Sequence, residues 1–416
     1  MKDLSRILEH KISPFSIIAF IKKLYYSNKS EELVSFLVWE LKYVLAFYKG
    51  DKTISFTEQD TPSILISNQA NFKIKDKDFK ITKSSVNWSR VYIDNASMQY
   101  GCTEEDPNIL IVSSPSGITR RIYTFSSKIT SLFVTTKGTI LCCVEGIIFN
   151  VCGDTKTAQE VLKLTTTQSR FRQDAITETP YGDMFLGEYA NVYERNQWKF
   201  VGYIYRSTDT GLSWRRIDFL AKEKINKHIH ILKWSHLIQG LIMTDGDNQK
   251  NIWINQSRLY FDQRHKDPTK GWKKINKNHI QKGGHTAIAE VNGKILFGTD
   301  YNGGTNFIIS TSDMSVFKDQ VLPNPYRRAI FNRIVVKCDN AGSNQLWAVT
   351  RFRHHNRIKS LVAMSPDQGR HWKKIIEYDA TNWEINLISN SKNPVAIVYL
   401  SVRNRLNNSS ETYIIQ

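Results

Sequence analysis

Beyond residue 50 the apolar positions fall in short runs separated by turn residues. Ile64 to Ile66, Ile109 to Val112, Thr139 to Cys143, Lys294 to Phe297 and Ala396 to Leu400 are the clearest of them. Few stretches carry a helical period, so many short strands of even spacing are predicted: a sandwich, a barrel or a propeller. Residues 1–50 read differently. Val34 to Tyr48 is rich in apolar and aromatic residues, interrupted by Glu40 and Lys42. Ser30, followed by Glu31 and Glu32, suits a helix start, and Gly50 suits a stop. The division is therefore a helical segment over 1–50 and a β domain over 51–416. The apolar length is short of the ~20 residues that span a bilayer. Two readings of the segment stand: a helical pair, Ile17 to Tyr26 and Val34 to Tyr48, packing on the main domain or on a second subunit, or residues 15–48 lying on an anionic membrane face.

An internal repeat narrows the β domain. Ser207-Thr208-Asp209-Thr210-Gly211-Leu212-Ser213-Trp214 and Ser365-Pro366-Asp367-Gln368-Gly369-Arg370-His371-Trp372 both read S-x-D-x-G-x-x-W. Weaker versions lie between and before them. One is stretched from Ser257 to Gly271-Trp272. Another begins at Ser310 and is eroded, with Ser312 and Met314 in the Asp and Gly places and Phe317 for Trp. At Cys152-Gly153-Asp154 only the Asp is kept. Starts at 152, 207, 257, 310 and 365 give gaps of 55, 50, 53 and 55, the period of a propeller blade. The Asp accepts from nearby amides to close a turn, the Gly permits a left-handed backbone, and the Trp plugs the adjoining strand. Each box is thus a folding staple.

The boxed repeat, over roughly residues 105 to 400, resembles the Asp-box (BNR-repeat) propellers: sialidases, several polysaccharide lyases, and non-catalytic binding and assembly relatives. The resemblance implies an all-β, six-bladed (or seven-bladed, if residues 53 to 95 add one) sialidase-like β-propeller. The tail from Trp383 to Ile415 would pair with N-terminal strands to close the ring. It also implies that the boxes mark the face opposite the ligand pocket. Arg-Ile-Pro, a sialidase motif, is absent, and Arg121-Ile122-Tyr123 is its nearest echo.

Following the boxes back through each blade collects polar residues at the other face. Phe185-Leu186-Gly187, Leu241-Ile242-Met243 and Ile295-Leu296-Phe297 each run into charge at the same point of the repeat. Charges next to a core cost several kcal/mol unless paired or used. A catalytic site and a salt-bridge belt are the two explanations. For a site, Glu188, Tyr189, His230, Asp245, Asp300 and Tyr301 are the catalytic candidates. Arg172, His228, His285, Arg333, Arg351 and Arg353 are the substrate-binding candidates. Glycoside hydrolysis needs two carboxyl groups or a Tyr activated by Glu. Elimination beside a uronate carboxylate needs a His or Tyr base and an Arg. No metal and no cofactor is assigned, since two His at alternate strand positions are more often structural.

Composition adds a partner class. A formal charge of +18 suits capture of an acidic oligo- or polysaccharide. The lysines are dispersed (Lys73, Lys75, Lys77 and Lys80 come closest to a cluster), which speaks against a specific nucleic-acid footprint. Five cysteines without a CxxC pair read as reduced thiols in a cytoplasmic protein, membrane-associated if the helices lie on a bilayer. Phosphate-loop, dinucleotide, zinc-protease and nucleophile-elbow motifs are absent. The expected function is a glycosidase or lyase acting on an acidic glycan. The alternative is a non-catalytic propeller binding glycan or protein with the same face.

Overall fold

The computed structural model describes residues 18, 22, 30–45, 50–57, 63–65, 74–76, 78–194, 197–223, 227–246, 251–256, 270–275, 284–301, 304–338, 342–354 and 357–416. Seven antiparallel sheets follow one another around an axis, making a seven-bladed β-propeller. The inner strands, in order, are Trp88–Ile93, Ser131–Val134, Ile176–Glu178, Ile229–Ser235, His285–Val291, Ile330–Cys338 and Trp383–Leu387. The first six blades run outward through four strands taken in chain order. The seventh takes Trp383–Leu387, Val398–Asn404 and Ser410–Ile415 from the C-terminal part and Lys80–Lys83 from the N-terminal part. The expected closure of the tail on N-terminal strands is what the sheet order gives. Residues 53–95 supply no blade of their own. They complete the seventh blade and open the first, and Ser55–Phe56 and Ser63–Leu65 add parallel strands outside the sixth.

Apolar contact between blades holds the ring. One buried cluster joins the first three blades through Tyr92, Leu110, Phe133, Leu141, Met184 and Leu186. Others seat the third blade on the fourth (Phe185, Ile229, Met243), the fifth on the sixth (Ala287, Phe331, Leu346) and the sixth on the seventh (Trp347, Ile376, Leu400). Blades approach closely enough that a Cβ on Gly298 would lie 2.5 Å from the Phe331 Cβ of the next blade.

The turns between third and fourth strands carry the staples. Asp209 Oδ1 accepts from Leu212 N (3.1 Å), Ser213 N (2.9 Å) and Ser207 Oγ (2.7 Å), and Trp214 Nε1 donates to Gly211 O (3.1 Å). Asp367 repeats this, accepting from His371 N (2.8 Å) and Ser365 Oγ (3.0 Å), with Trp372 Nε1 on Gly369 O (3.3 Å). Gly211 and Gly369 sit at φ 93° and 87°, which a Cβ would strain. The fifth blade corrects the sequence frame by one residue. Thr311 and Asp313, not Ser310 and Ser312, hold the turn: Asp313 Oδ1 accepts from Ser315 N (2.8 Å) and Val316 N (3.2 Å). The Asp was never lost, and the turn is one residue shorter. Ser257, the start of the stretched box, lies outside the described residues, as does most of Ile17 to Tyr26.

The helix Ser30–Val44 is fixed to the propeller by one face. Trp39 meets Phe307 edge-on at 5.3 Å, and Glu40 takes Arg327 Nη1 and Nη2 at 2.8 Å each and Arg328 at 3.0 Å. Its other face presents Val34, Leu37, Val38, Leu41, Val44 and Leu45, between 41% and 76% exposed. Among the described residues no helix is long and apolar enough to cross a membrane.

The staples also give a stability prediction. Burial pushes the Asp209 and Asp367 carboxyls up, but the hydrogen bonds they accept outweigh it and hold both below the usual range. A depressed folded-state pKa contributes stability that is present above the unfolded value (~3.9) and lost as pH falls through the folded one. Asp209→Ala should cost about 1 kcal/mol at pH 7. The gap from wild type should narrow steadily as thermal melts are repeated from pH 5 towards pH 2.

Candidate functional site

Each inner strand begins, and each second strand ends, at the same rim of the ring, opposite the Asp-centred turns. This rim opens into a cavity of about 440 Å³ on the axis. Six arginines line it: Arg90, Arg170, Arg172, Arg333, Arg351 and Arg403, with only Glu104, Asp174 and Glu384 as acids. Glu384 is shared among guanidinium groups, from Arg353 at 2.5 Å, Arg405 at 2.6 Å and Arg351 at 3.6 Å. Burial alone would raise its carboxyl, but these three cations hold it below the usual range. Asp174 is bridged to Lys233 at 3.2 Å. Arg333 lies deepest, donating to Leu387 O at 2.8 Å. Burial presses its pKa down to about 10, with Asp174 opposing and Arg172 adding to the effect. It stays charged at neutral pH.

Beside the cavity lies an aromatic and imidazole cluster. Tyr189 lines the wall, its backbone pairing with Arg170 in both directions (2.8 and 3.0 Å). The Arg170 and Arg172 guanidinium carbons stand 5.2 and 5.4 Å from its ring centre. The His228 ring lies 4.1 Å away on centroids and the His230 ring 5.9 Å. His228 Nδ1 meets Ala190 O at 2.7 Å and its Nε2 meets His230 Nε2 at 3.0 Å. Asp300 reaches the same place: a Cβ on Gly284 would lie 2.9 Å from Asp300 Oδ1 and 3.7 Å from the His230 ring.

The candidates from sequence thus separate. Arg172, Arg333, Arg351 and Tyr189 line the cavity, and His228, His230 and Asp300 converge behind Tyr189. Arg353 reaches the site through Glu384. Glu188 does not line the cavity. It is fully buried, and its carboxylate accepts from Thr165 N (2.9 Å), Thr165 Oγ1 (2.9 Å) and Tyr205 OH (2.8 Å). Asp245 likewise ties a loop, accepting from Asn251 N and Trp253 Nε1 at 2.9 Å each. Burial raises its carboxyl despite those bonds. Tyr301 is buried with its backbone clasped by Asn306, and His285 is buried edge-on to Phe297 at 5.4 Å. Arg90, Glu104, Glu384 and Arg403 were missed because the first and seventh blades carry no Asp box to count from. Among the described residues no three His, Cys, Asp or Glu side chains are gathered as a metal would need.

No protein-family model and no curated protein matches the chain. Solved structures match in shape. A chain of a mitotic checkpoint complex superposes with a TM-score of 0.50 at 10% identity, over 84% of this chain and 98% of that one. The WD40 propeller domain of Doa1 gives 0.44 at 12% identity, over 81% and 94%. The GH74 enzyme of Niastella koreensis gives 0.42 at 14% identity, over 59% of this chain and 36% of that one. At these identities the likeness is one of fold.

The placement of Glu188 yields a test. Truncating it leaves Thr165 and Tyr205 without their buried acceptor, so Glu188→Ala should destabilise by about 2–4 kcal/mol, read as a lowered urea midpoint. Tyr189→Phe should leave that midpoint unchanged.

Proposed function

We propose that the propeller binds a carboxylate-bearing glycan at its arginine-lined mouth. One observation carries this reading: six arginines line one cavity against three acids, two of which, Asp174 and Glu384, already hold cations. Guanidinium groups at short range repel one another, and a planar oxyanion relieves this by taking two parallel hydrogen bonds from each fork. The Asp-centred turns support kinship with the sialidase-like propellers, whose ligands sit on the face opposite such turns. Hydrolysis is the less favoured chemistry, because Glu188 and Asp245 are engaged inside the blades. A second reading, β-elimination on a uronate, is favoured by Tyr189. Its phenol stands at the cavity wall between two guanidinium groups and a His228–His230 pair. The guanidinium groups would neutralise the uronate carboxylate while Tyr189, its own proton passed to His230, takes the C5 proton; the C4–C5 double bond forms, the C4–O bond breaks, and the phenol hands its proton to the departing oxygen.

Binding is tested by calorimetry with galacturonate and polygalacturonate at two salt concentrations. Arg172→Ala and Arg351→Ala should each weaken binding about tenfold, the worth of one charge-assisted hydrogen bond. Glu384→Gln should strengthen it, since a competing anion is removed. Affinity indifferent to all three substitutions sinks the proposal. Release of an unsaturated product absorbing in the ultraviolet, abolished in Tyr189→Phe, would decide for elimination over binding alone.

The exposed helix face supports membrane contact as part of the same proposal. Six aliphatic side chains on one stripe form an apolar surface of the kind that marks an interaction site. The chain's excess of positive charge would complement an anionic bilayer and supports the reading of a cytoplasmic, membrane-associated protein. Wild type should sediment with phosphatidylglycerol vesicles and not with phosphatidylcholine ones, and Leu37→Ser with Leu41→Ser should abolish this. A wild-type dimer in solution, dissolved by the same substitutions and indifferent to vesicles, would assign the stripe to a second copy instead.

A further inference from the structure

In the third blade the loop leaving the second strand does not turn directly into the third. It first rises as a two-stranded ribbon, Tyr193–Glu194 paired with Gln197–Trp198, on the cavity rim. The base of this ribbon is rigid. Ala190, Val192 and Val201 form a small buried cluster, Lys199 N donates to Val192 O at 2.9 Å, and Val201 N donates to Lys227 O at 2.9 Å. The rung above the base is different. Tyr193 is 58% exposed and Trp198 43% exposed, their rings meeting edge-on at 5.1 Å. Two large aromatic rings left half in water side by side form an apolar surface of the kind that marks an interaction site. The ring of Trp198 is held in place by the Lys227 ammonium, 4.0 Å from its centre. The next residue after that lysine is His228, whose ring lies against Tyr189 at a tilt of 44°. Tyr193 is four residues from Tyr189, so its backbone lies within about 14 Å of the cavity wall.

We propose that Tyr193 and Trp198 form a second sugar-binding subsite, stacking on the C–H face of a pyranose ring that lies outside the arginine mouth. The inference rests on the glycan reading above and makes it more specific: the ligand is an oligosaccharide, with an acidic residue in the mouth and a following residue on the ribbon. Aromatic side chains suit this task because they present a large, rigid apolar area with little rotamer entropy to lose. Lys227 beside the indole adds a positive charge where a second acidic sugar would bring a negative one.

The test compares monomeric galacturonate with polygalacturonate by calorimetry on the full chain. Tyr193→Ala with Trp198→Ala should weaken polymer binding about tenfold and leave the monomer unchanged, and Trp198→Phe should keep most of the polymer affinity. Thermal melts confirm that the variants fold, which the exposure of both rings makes straightforward. Polymer affinity unchanged in a folded double variant overturns the subsite while leaving the mouth intact. Arg172→Ala separates the two claims, since it should lower monomer and polymer affinity together. A wild-type protein that binds neither probe overturns both.

Discussion

The rest of the molecule depends on apolar burial between neighbouring sheets. The large buried clusters span blade interfaces: Phe185 and Ile229 share one, Trp347 and Leu400 another, and Phe331 lies against Gly298. This attraction is non-directional, so it fixes the blades around an axis without specifying what their ends carry. Strand ends are therefore free to be polar. The glycines at close approaches, Gly187 against Ile229 and Gly298 against Phe331, let successive blades come near enough for inner-strand ends to face one another.

That freedom is used unevenly at the two rims. At one, carboxylates are spent on turns: Asp209, Asp313 and Asp367 each satisfy backbone amides that would otherwise lack partners. At the other, arginines outnumber acids, and Asp174 and Glu384 among those acids already hold cations. The consequence is an excess of positive charge gathered in a concave cavity, where charge acts more strongly than on open surface. The chain's overall charge would steer an anion towards the molecule, but the mouth is where geometry could hold one.

How far the sequence reached can be argued from single residues. The boxes at Ser207 and Ser365 carried the period, the orientation and the closure, because a turn with fixed hydrogen bonds leaves a fixed residue signature. The same signature blurred where the turn was one residue shorter, at Asp313. The blade count stayed open because the first and seventh blades need no such turn. Site residues were legible in position along the strand but not in direction. Glu188 and Tyr189 are adjacent, and alternation sends one inward to Tyr205 and the other to the cavity. A period measured in blades cannot see a difference of one residue. Glu384 shows the limit from the other side, since its three arginine partners come from the sixth and seventh blades, and only the packing of those blades brings them together.

The seam in the seventh blade also sets an order of events. Tyr413 pairs with Lys83 across 330 residues of chain. Such a long-range pairing is slow to find, although its entropic cost grows only with the logarithm of the separation. Until it forms, the nascent chain is an open arc with an unpaired strand at its leading end. Lysines at both ends of that strand, Lys80 and Lys83, discourage it from joining a neighbouring molecule, as charged edges do elsewhere. When Ser410–Ile415 arrives, Glu411 meets Lys83 at 2.6 Å and the same charge becomes part of the latch. Arg90 and Arg403 stand on opposite sides of this junction, so the arginine-lined mouth is complete only when the seam is closed.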